Sequence, residues 1–139
     1  MRKESFAIGD YLHVYNRGNR KQEIVRDAND RWRFLQILYY FNTRKTPENP
    51  FRDLRDSLKS DFNSQLVWPK TWDSQEPIVS IAAFVLMENH FHLLVKEVVK
   101  GGLTLFMRRL GTGMTNRFNI KYRETGRLFQ GAYKAKRVD

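Results

Sequence analysis

Residues 78–87 form a nearly unbroken apolar run, Ile-Val-Ser-Ile-Ala-Ala-Phe-Val-Leu-Met, without a charged side chain. The run is shorter than the roughly 20 residues that a membrane-spanning helix needs, and its Val, Ile and Phe favour a strand over a helix. Glu88 and Asn89 follow as a tight connection, and residues 90–96 predict a second strand. We therefore expect a central β-hairpin, around which the rest of the chain must be arranged.

A strand and a helix are predicted ahead of this hairpin. Residues 11–16 are rich in aromatic and β-branched side chains and end at the turn signal Arg17-Gly18-Asn19, which indicates a first strand. Asp27 or Asn29 can cap the helix that follows. Apolar residues recur along that helix with the spacing of one face, namely Trp32, Leu35, Leu38 and Tyr39, widened by Phe34, Ile37 and Phe41.

A helix and a strand are also predicted after the hairpin. Gly101-Gly102 breaks the chain, and apolar residues then recur every three to four positions on one helix face: Leu103, Phe106, Leu110, Met114 and Phe118. Thr125-Gly126 ends this helix, and Leu128 to Lys136 predicts a last strand. The order β-α-β-β-α-β describes a ferredoxin-like split β-α-β unit, an α+β fold with an antiparallel sheet and helices packed on one face.

We expect one domain over residues 1–139, with a Pro-containing insertion at about 43–77. A chain of 139 residues has the length of one ordinary domain. The insertion is polar and holds all four prolines, and Phe51, Leu54, Leu58 and Phe62 have a spacing suited to a short helix.

The chain is strongly basic, and most of the net charge lies near its C-terminus. Lys and Arg number 25 against 15 Asp and Glu, which leaves a net charge of +10. From Lys100 to Asp139 there are ten basic residues and two acidic ones. Such a cluster can release counterions from phosphates, so the sequence favours a nucleic acid over an anionic membrane, for which no lipid-anchoring helix is visible. The alternative is a basic surface that only confers solubility.

Several other classes of protein are disfavoured. The chain contains no cysteine, and residues 1–11 lack the apolar stretch of a secretory signal, so we expect a cytoplasmic protein with no membrane partner. The sequence has no Gly-rich phosphate loop, no zinc-spaced Cys cluster and no nucleophilic Ser elbow. Enzymes of nucleotide-dependent phosphate transfer are therefore disfavoured.

His90 and His92 are the candidate metal ligands. Side chains alternate along a strand, so both imidazoles point to one face and Phe91 points to the other. A catalytic divalent metal needs ligands on one side and open positions for substrate on the other, and a His-x-His strand can supply two of those ligands. The same pattern also occurs where histidines only pack or decorate a surface, so spacing alone leaves metal binding open.

Three motifs, in order along the chain, resemble those of a known family. Residues 87–95, Met-Glu-Asn-His-Phe-His-Leu-Leu-Val, resemble the Met-Pro-Asn-His-hydrophobic-His-Leu-Leu strand of the tyrosine transposases of the HUH class, with Glu88 in place of the usual Pro. Residues 11–18, Tyr-Leu-His-Val-Tyr-Asn-Arg-Gly, are similar to the first strand of the repeat-associated (REP-associated) branch. Residues 119–131, with Thr-Gly-Arg-Leu-Phe-Gln-Gly at 125–131, are similar to its Arg-x-Gly-x-Leu-Phe-Gln-Gly segment.

This resemblance implies a ferredoxin-like catalytic domain, a Mg or Mn ion at His90 and His92, and hairpin-bearing single-stranded DNA as substrate. It also implies a nucleophilic tyrosine on a helix after the last strand, in a Tyr-Ile-His-Leu-Asn-Pro segment whose Asn is a third metal ligand. The 139 residues do not contain that segment, so we expect recognition with little or no cleavage. Monomer and homodimer stay open, because some relatives build shared sites from two chains.

The remaining site residues are weaker candidates. Tyr122 and Tyr133 are the nearest internal tyrosines for catalysis, although a packed or base-stacking aromatic is the stronger interpretation of each. His13 shares a face with Tyr11 and Tyr15, and we expect a hydrogen-bonded sheet histidine rather than a third ligand. The candidate DNA contacts are mostly arginines and lysines: Arg17, Lys21, Arg108, Arg109, Arg117, Arg123, Arg127, Gln130, Lys134, Lys136 and Arg137.

Three functions follow from these observations. The leading one is a transposase-like protein that binds hairpin single-stranded DNA, with metal-assisted phosphodiester cleavage and transesterification through a tyrosine in the complete enzyme. The second is a non-catalytic DNA-binding remnant or regulator. The third is an RNA-binding domain, because ferredoxin-like sheets also present aromatic side chains to unstacked bases.

Overall fold

A computed structural model describes residues 6–139, and its elements follow the predicted order. The prediction that residues 1–11 contain no secretory signal falls partly on residues 1–5, which lie outside the described residues. The strands and helices are β1 (Leu12–Arg17), α1 (Ala28–Tyr40), α2 (Pro50–Leu58), β2 (Val79–Leu86), β3 (His90–Glu97), α3 (Gly102–Tyr122) and β4 (Lys134–Arg137).

The four strands form one antiparallel sheet in the order β2-β3-β1-β4. The central pair aligns Leu12 with Val95 and Val14 with Leu93, and these four side chains are buried. They join a single core with apolar residues of α1 and α3. The structure therefore confirms the α+β, ferredoxin-like arrangement, with both long helices on one face of the sheet.

The predicted hairpin is present as β2 and β3. Val79 pairs with Glu97 and Leu86 pairs with Phe91, with a register shift between Ile81 and Ala83. Since β2 is an edge strand, Phe84 and Val85 remain about half exposed, at 45% and 52%. None of the helices in residues 6–139 has both the length and the apolar character needed to cross a bilayer.

The two long helices agree closely with their sequence patterns. Asp27 caps α1, because its side chain accepts a hydrogen bond from the backbone N–H of Asp30. On α3, the predicted apolar stripe is buried at all five positions, Leu103, Phe106, Leu110, Met114 and Phe118. The helix ends at Tyr122, slightly before the predicted Thr125-Gly126, because Arg123 adopts a left-handed conformation and its N–H bonds back to Asn119.

The last strand is shorter than the sequence predicts. Only Lys134–Arg137 pairs continuously with β1, whereas the prediction began at Leu128. Residues before β4 instead form an irregular segment that crosses the end of β1, where Asn19 N–H donates to Leu128 O and Gln130 N–H donates to Arg17 O. Leu128 and Phe129 are buried there, so their apolar character reflects core packing and not a strand.

The segment at 43–77 is held against α1 by hydrogen bonds and by core packing. Its helix α2 begins after Asn49, which caps it, with Pro50 in the first turn. The buried amide of Gln36 donates to Phe62 O at 2.7 Å, and the Tyr40 hydroxyl donates to Val67 O at 2.9 Å. Leu54 and Phe62 are buried in the main core. The short helix predicted here is confirmed for residues 50–58, and the segment packs as part of the domain.

A charged network centred on Asp30 joins α1 to α3. Its nearly buried carboxylate accepts hydrogen bonds from Lys121 Nζ at 2.8 Å and from the Tyr122 hydroxyl, and it pairs with Arg117 at 3.5 Å. Burial raises the pKa of this carboxyl, but the hydrogen bonds from Lys121, Tyr122 and the Arg26 backbone outweigh it and hold the pKa at about 2.

Asp30→Asn should lower the free energy of unfolding by about 2 kcal/mol at pH 7, which corresponds to the drop of the pKa from 3.8 to about 2. A depressed carboxyl pKa stabilises the fold above its unfolded value and loses that contribution as pH falls through the folded value. The difference from wild type should therefore shrink between pH 4 and pH 2, as measured by urea unfolding. Asp56→Asn, an exposed position on α2, is the control, and an equal loss in both variants would contradict this role.

Candidate functional site

His90 and His92 lie on the face of the sheet that the helices leave open. In the register of β1 and β3, Arg17 is opposite His90 and Tyr15 is opposite His92. Directly opposed residues share a face, and the intervening Phe91 is only 1% exposed in the core. The predicted convergence of the two imidazoles on one face is therefore present, and Arg17 and Tyr15 lie beside them.

Hydrogen bonds orient both histidine rings. The rings of His90 and His92 are nearly perpendicular, with centroids 5.2 Å apart. Nδ1 of His90 lies 2.8 Å from Asn89 Oδ1, and Nδ1 of His92 lies 2.8 Å from His13 Nε2. A ring that donates from Nδ1 presents the lone pair of Nε2, so these two contacts are of the kind that orients metal-ligating histidines.

The environment also favours the neutral form of His92. Burial lowers the pKa of this imidazole, and the neighbouring His13 and His90 lower it further because a second positive charge is unfavourable beside them. The neutral imidazole is the form that binds metal ions.

The two histidines fit a divalent metal as a partial ligand set. Among residues 6–139, no group of three or more His, Cys, Asp or Glu side chains is arranged to hold an ion. A metal at Nε2 of His90 and His92 would therefore take its other ligands from water, substrate or other donors. Nitrogen ligands are less suited to Mg than to Mn, because Mg prefers an all-oxygen set.

A shallow depression of about 510 Å³ extends from the histidines along the end of β1. Its basic lining residues are Arg17, Lys21 and Lys134, and no carboxylate of the described residues lines it. Gln130 closes one side, where its side-chain oxygen accepts a hydrogen bond from Arg17 Nε. The depression is therefore positively charged beside the candidate metal ligands.

Gly18 fixes the chain at this end of β1. Its N–H donates to Asn89 O at 2.8 Å, which joins the end of β1 to the hairpin turn before His90. A Cβ at position 18 would lie 2.1 Å from the backbone oxygen of Gln22, so only glycine fits without a backbone shift.

The predicted DNA contacts divide into two groups. Arg17, Lys21, Gln130 and Lys134 line the depression, and Lys136 is paired with His13 on the same face. The others lie elsewhere: Arg108, Arg109 and Arg117 on α3, Arg123 and Arg127 in the turn after it, and Arg137 opposite Leu12, whose side chain is in the core.

The guanidinium of Arg109 makes hydrogen bonds within the fold, so no DNA contact is needed to explain this residue. Its guanidinium donates to the backbone oxygens of Phe41, Thr43 and Arg44, just beyond the end of α1. Basic side chains commonly satisfy carbonyl groups at helix C-termini in this way. We therefore assign Arg109 to the stability of the fold.

The two candidate tyrosines lie on the helix side of the sheet. Tyr122 packs against Phe118, and its hydroxyl donates to Asp30. Burial and this hydrogen bond raise the pKa of Tyr122, which makes its phenol a poorer nucleophile. Tyr133 also packs against the main core. Neither tyrosine faces the histidines, so the structure gives no support to a catalytic role for them.

The aromatic residues on the histidine face come from β1. The Tyr15 ring stacks on His13 at 4.9 Å and lies 5.8 Å from the His92 ring, and Lys96 Nζ lies 4.5 Å from the Tyr11 ring. Tyr11 and Tyr15 share a face with His13 in the sequence pattern, which by itself indicates no function for them. The signal that could have identified them is the two-residue alternation combined with the β1–β3 pairing.

Comparisons with known proteins find similarity at the level of fold. No protein-family model matches the sequence, and no curated protein is detectably similar to it. Among solved structures, a REP-associated tyrosine transposase bound to a REP hairpin is 10% identical with a TM-score of 0.56. That likeness covers 100% of this chain and 62% of the transposase, so the chain spans less than two thirds of its length.

A second solved structure, a Deinococcus radiodurans R1 protein assigned as a transposase, is 12% identical with a TM-score of 0.52. The likeness covers 100% of this chain and 87% of that one. At these identities the comparisons show the fold, and both neighbours agree with the resemblance of the three motifs. The chain has a transposase-like fold.

The neutral imidazole of His90 should carry its proton on Nδ1, because Asn89 Oδ1 offers that atom an acceptor. Long-range ¹H–¹⁵N NMR correlations distinguish the two tautomers directly. In Asn89→Ala the acceptor is absent and the Nε2-protonated form should gain population. A wild-type ring protonated mainly on Nε2 would contradict the orientation described here.

Proposed function

We propose that this chain, which has the fold of a tyrosine transposase, binds a folded single strand of DNA on the open face of its sheet. His90 and His92 would hold Mg or Mn beside one phosphodiester. The observation that carries the proposal is that both imidazoles share one face with the basic depression. It is supported by the fold neighbour whose structure contains a REP hairpin.

The basic residues of this face suit the backbone of a nucleic acid. Arg17 and Lys21 lie at the end of β1, and Lys134 and Lys136 lie on the adjacent strand β4. Each phosphate that such side chains neutralise releases counterions, so binding should depend steeply on salt. The contacts to phosphate would fix position without reading sequence.

The aromatic residues of the same face suit unpaired bases. Tyr15, His13 and His92 form a series of stacked rings on the half-exposed sheet. Bases of a single strand commonly stack on such side chains, whereas a continuous duplex keeps its bases inside. A hairpin with single-stranded flanks offers both a regular backbone and free bases.

A bound divalent ion would supply Lewis-acid polarisation of a phosphodiester oxygen. The protein's part is to hold the ion through Nε2 of His90 and His92, and to keep those rings oriented through Asn89 and His13. We propose transesterification through a tyrosine for the complete enzyme. For this chain we propose that it recognises DNA, and that Tyr122 and Tyr133 support little or no cleavage. We also propose a cytoplasmic location, which the absence of cysteine in the sequence favours.

A non-catalytic DNA-binding remnant or regulator remains an alternative within this proposal. A homodimer also remains a prediction. An RNA partner is the second candidate, and the stacked aromatic rings on the open sheet favour it, since single-stranded RNA is read in the same manner. Competition between matched DNA and RNA hairpins for the protein decides between the two nucleic acids.

A labelled DNA hairpin with single-stranded flanks should bind more tightly than an unstructured strand of equal length, as measured by fluorescence anisotropy at low salt. In the double variant Lys134→Gln and Lys136→Gln the slope of log affinity against log salt should become shallower by about 1.5. Lys59→Gln with Lys70→Gln is the matched control, since both residues are exposed and line neither the depression nor the cavity beside α3. Equal affinity for hairpin and unstructured strand would contradict the proposed recognition.

Changing His90 and His92 together to Ala should abolish Mn binding, because the two imidazoles are the proposed ligands. Metal-free DNA binding should weaken only by the loss of one stacking ring, His92, which is worth about 1–3 kcal/mol. Isothermal titration with Mn and anisotropy with the hairpin measure the two properties separately. Incubation of wild type with the hairpin and Mn, followed by denaturing electrophoresis, then tests for cut or protein-linked DNA. Undiminished Mn binding in the double variant would exclude this metal site.

A further inference from the structure

A second cavity lies on the helix layer, on the other side of the sheet from the histidines. It has a volume of about 590 Å³ and opens between α3 and residues 46–51, which comprise the loop before α2 and the first two residues of that helix. One wall is a stripe of α3 with four-residue spacing, Arg108, Thr112, Asn116 and Ile120, and all four residues are exposed. No residue of the histidine face lines this cavity.

The cavity concentrates arginines. Arg33, Arg108, Arg109 and Arg117 border it, against a single carboxylate in its described lining, Glu48. Burial, with the nearby charges of Arg117 and Arg55, lowers the pKa of Arg33 to about 10. Gathering several cations in one place costs free energy unless an anion compensates them.

The contacts within the fold use only some of the hydrogen-bond donors of these arginines. Arg109 is engaged with backbone oxygens, and Arg117 reaches Asp30 at 3.5 Å. The buried Nε of Arg117 has no hydrogen-bond partner among the described residues. Arg33 Nε donates to Gln36 Oε1 at 3.2 Å, and the guanidinium carbon lies 3.8 Å from the Phe51 ring centroid at the cavity wall. Arg108, exposed at the rim, completes a set of donors suited to phosphate oxygens.

Apolar surface adjoins these donors. Phe41, Phe51, Pro47 and Pro50 also line the cavity, and Ile120 is 82% exposed at its edge. Inorganic phosphate alone would make no use of this surface. A nucleotide unit presents both a charged phosphate and the apolar faces of a sugar and base.

We infer that this cavity is a second nucleic-acid site, which binds a phosphate-bearing nucleotide of a single strand independently of the histidine face. The inference goes beyond the proposed function, since it needs neither a metal nor the depression beside His90. A protein with both sites would contact nucleic acid on both layers of its fold.

The test uses the double variant Thr112→Glu and Asn116→Asp, which places two negative charges at exposed positions of the α3 stripe. Its affinity for oligothymidylate of 20 nucleotides, read at the Ile120 methyl group in the cavity, should fall about tenfold, and the salt dependence should become shallower by about 1. The control variant Ser64→Asp and Ser74→Glu makes the same change in net charge at exposed positions outside the cavity. Equal effects of the two variants would overturn the inference, and circular dichroism verifies that both are folded.

Methyl NMR separates this site from the histidine face. Ile120 reports on the cavity, and Leu94, paired with His13, reports on the open sheet. Addition of the oligothymidylate should shift the Ile120 methyl signals. Inorganic phosphate at equal phosphate concentration should not produce the full shift.

A response of Leu94 without Ile120 would overturn the second site and leave the proposed function intact. A response of Ile120 without Leu94 would support the second site and contradict binding on the sheet. Saturation by inorganic phosphate with no response to the oligothymidylate would overturn the assignment to a nucleotide.

Discussion

The pairing of β1 with β3 is the constraint on which the rest of this structure depends. Its register places Leu12, Val14, Phe91, Leu93 and Val95 in the core and turns His90 and His92 outwards. Because side chains alternate, a slip of one residue would exchange the two sets and bury the imidazoles. Burial of the apolar residues on one face therefore determines that His90 and His92 lie on the other face, whatever contacts the histidines make.

The end of β1 shows how distant parts of the chain build one surface. Gly18 bonds to Asn89, Arg17 bonds to Gln130, and the buried Phe129 holds the segment before β4 against the same edge. These contacts explain why the resembling motifs at residues 11–18, 87–95 and 125–131 occur together: they meet around one depression. They also explain why the last strand was predicted too long, since Leu128 and Phe129 are apolar for packing rather than for pairing.

The basic residues of α3 illustrate that charge alone does not define a binding surface. Arg109 secures the end of α1, Arg117 pairs with Asp30, and Arg108 lies at the rim of a cavity on the helix layer. The sequence presents them as one positive cluster with the lysines of β4. The helix and the strand lie on different layers, so the fold separates the cluster into structural contacts and two distinct cationic surfaces.

The sequence by itself determined the order of elements, the buried stripe of α3, the hairpin and the shared face of His90 and His92. Each follows from a local pattern, which is an apolar run, a turn signal or a periodicity of two or 3.6 residues. Only the tertiary structure decided what stands beside those histidines. His13 and Tyr15 lie beside them because β1 pairs with β3, and His13 is hydrogen-bonded to His92 although 79 positions separate the two in the sequence. Tyr122 and Tyr133 lie on the helix side instead. Local periodicity sets the face of a side chain, but its neighbours depend on which strands pair and on how the helices pack over them.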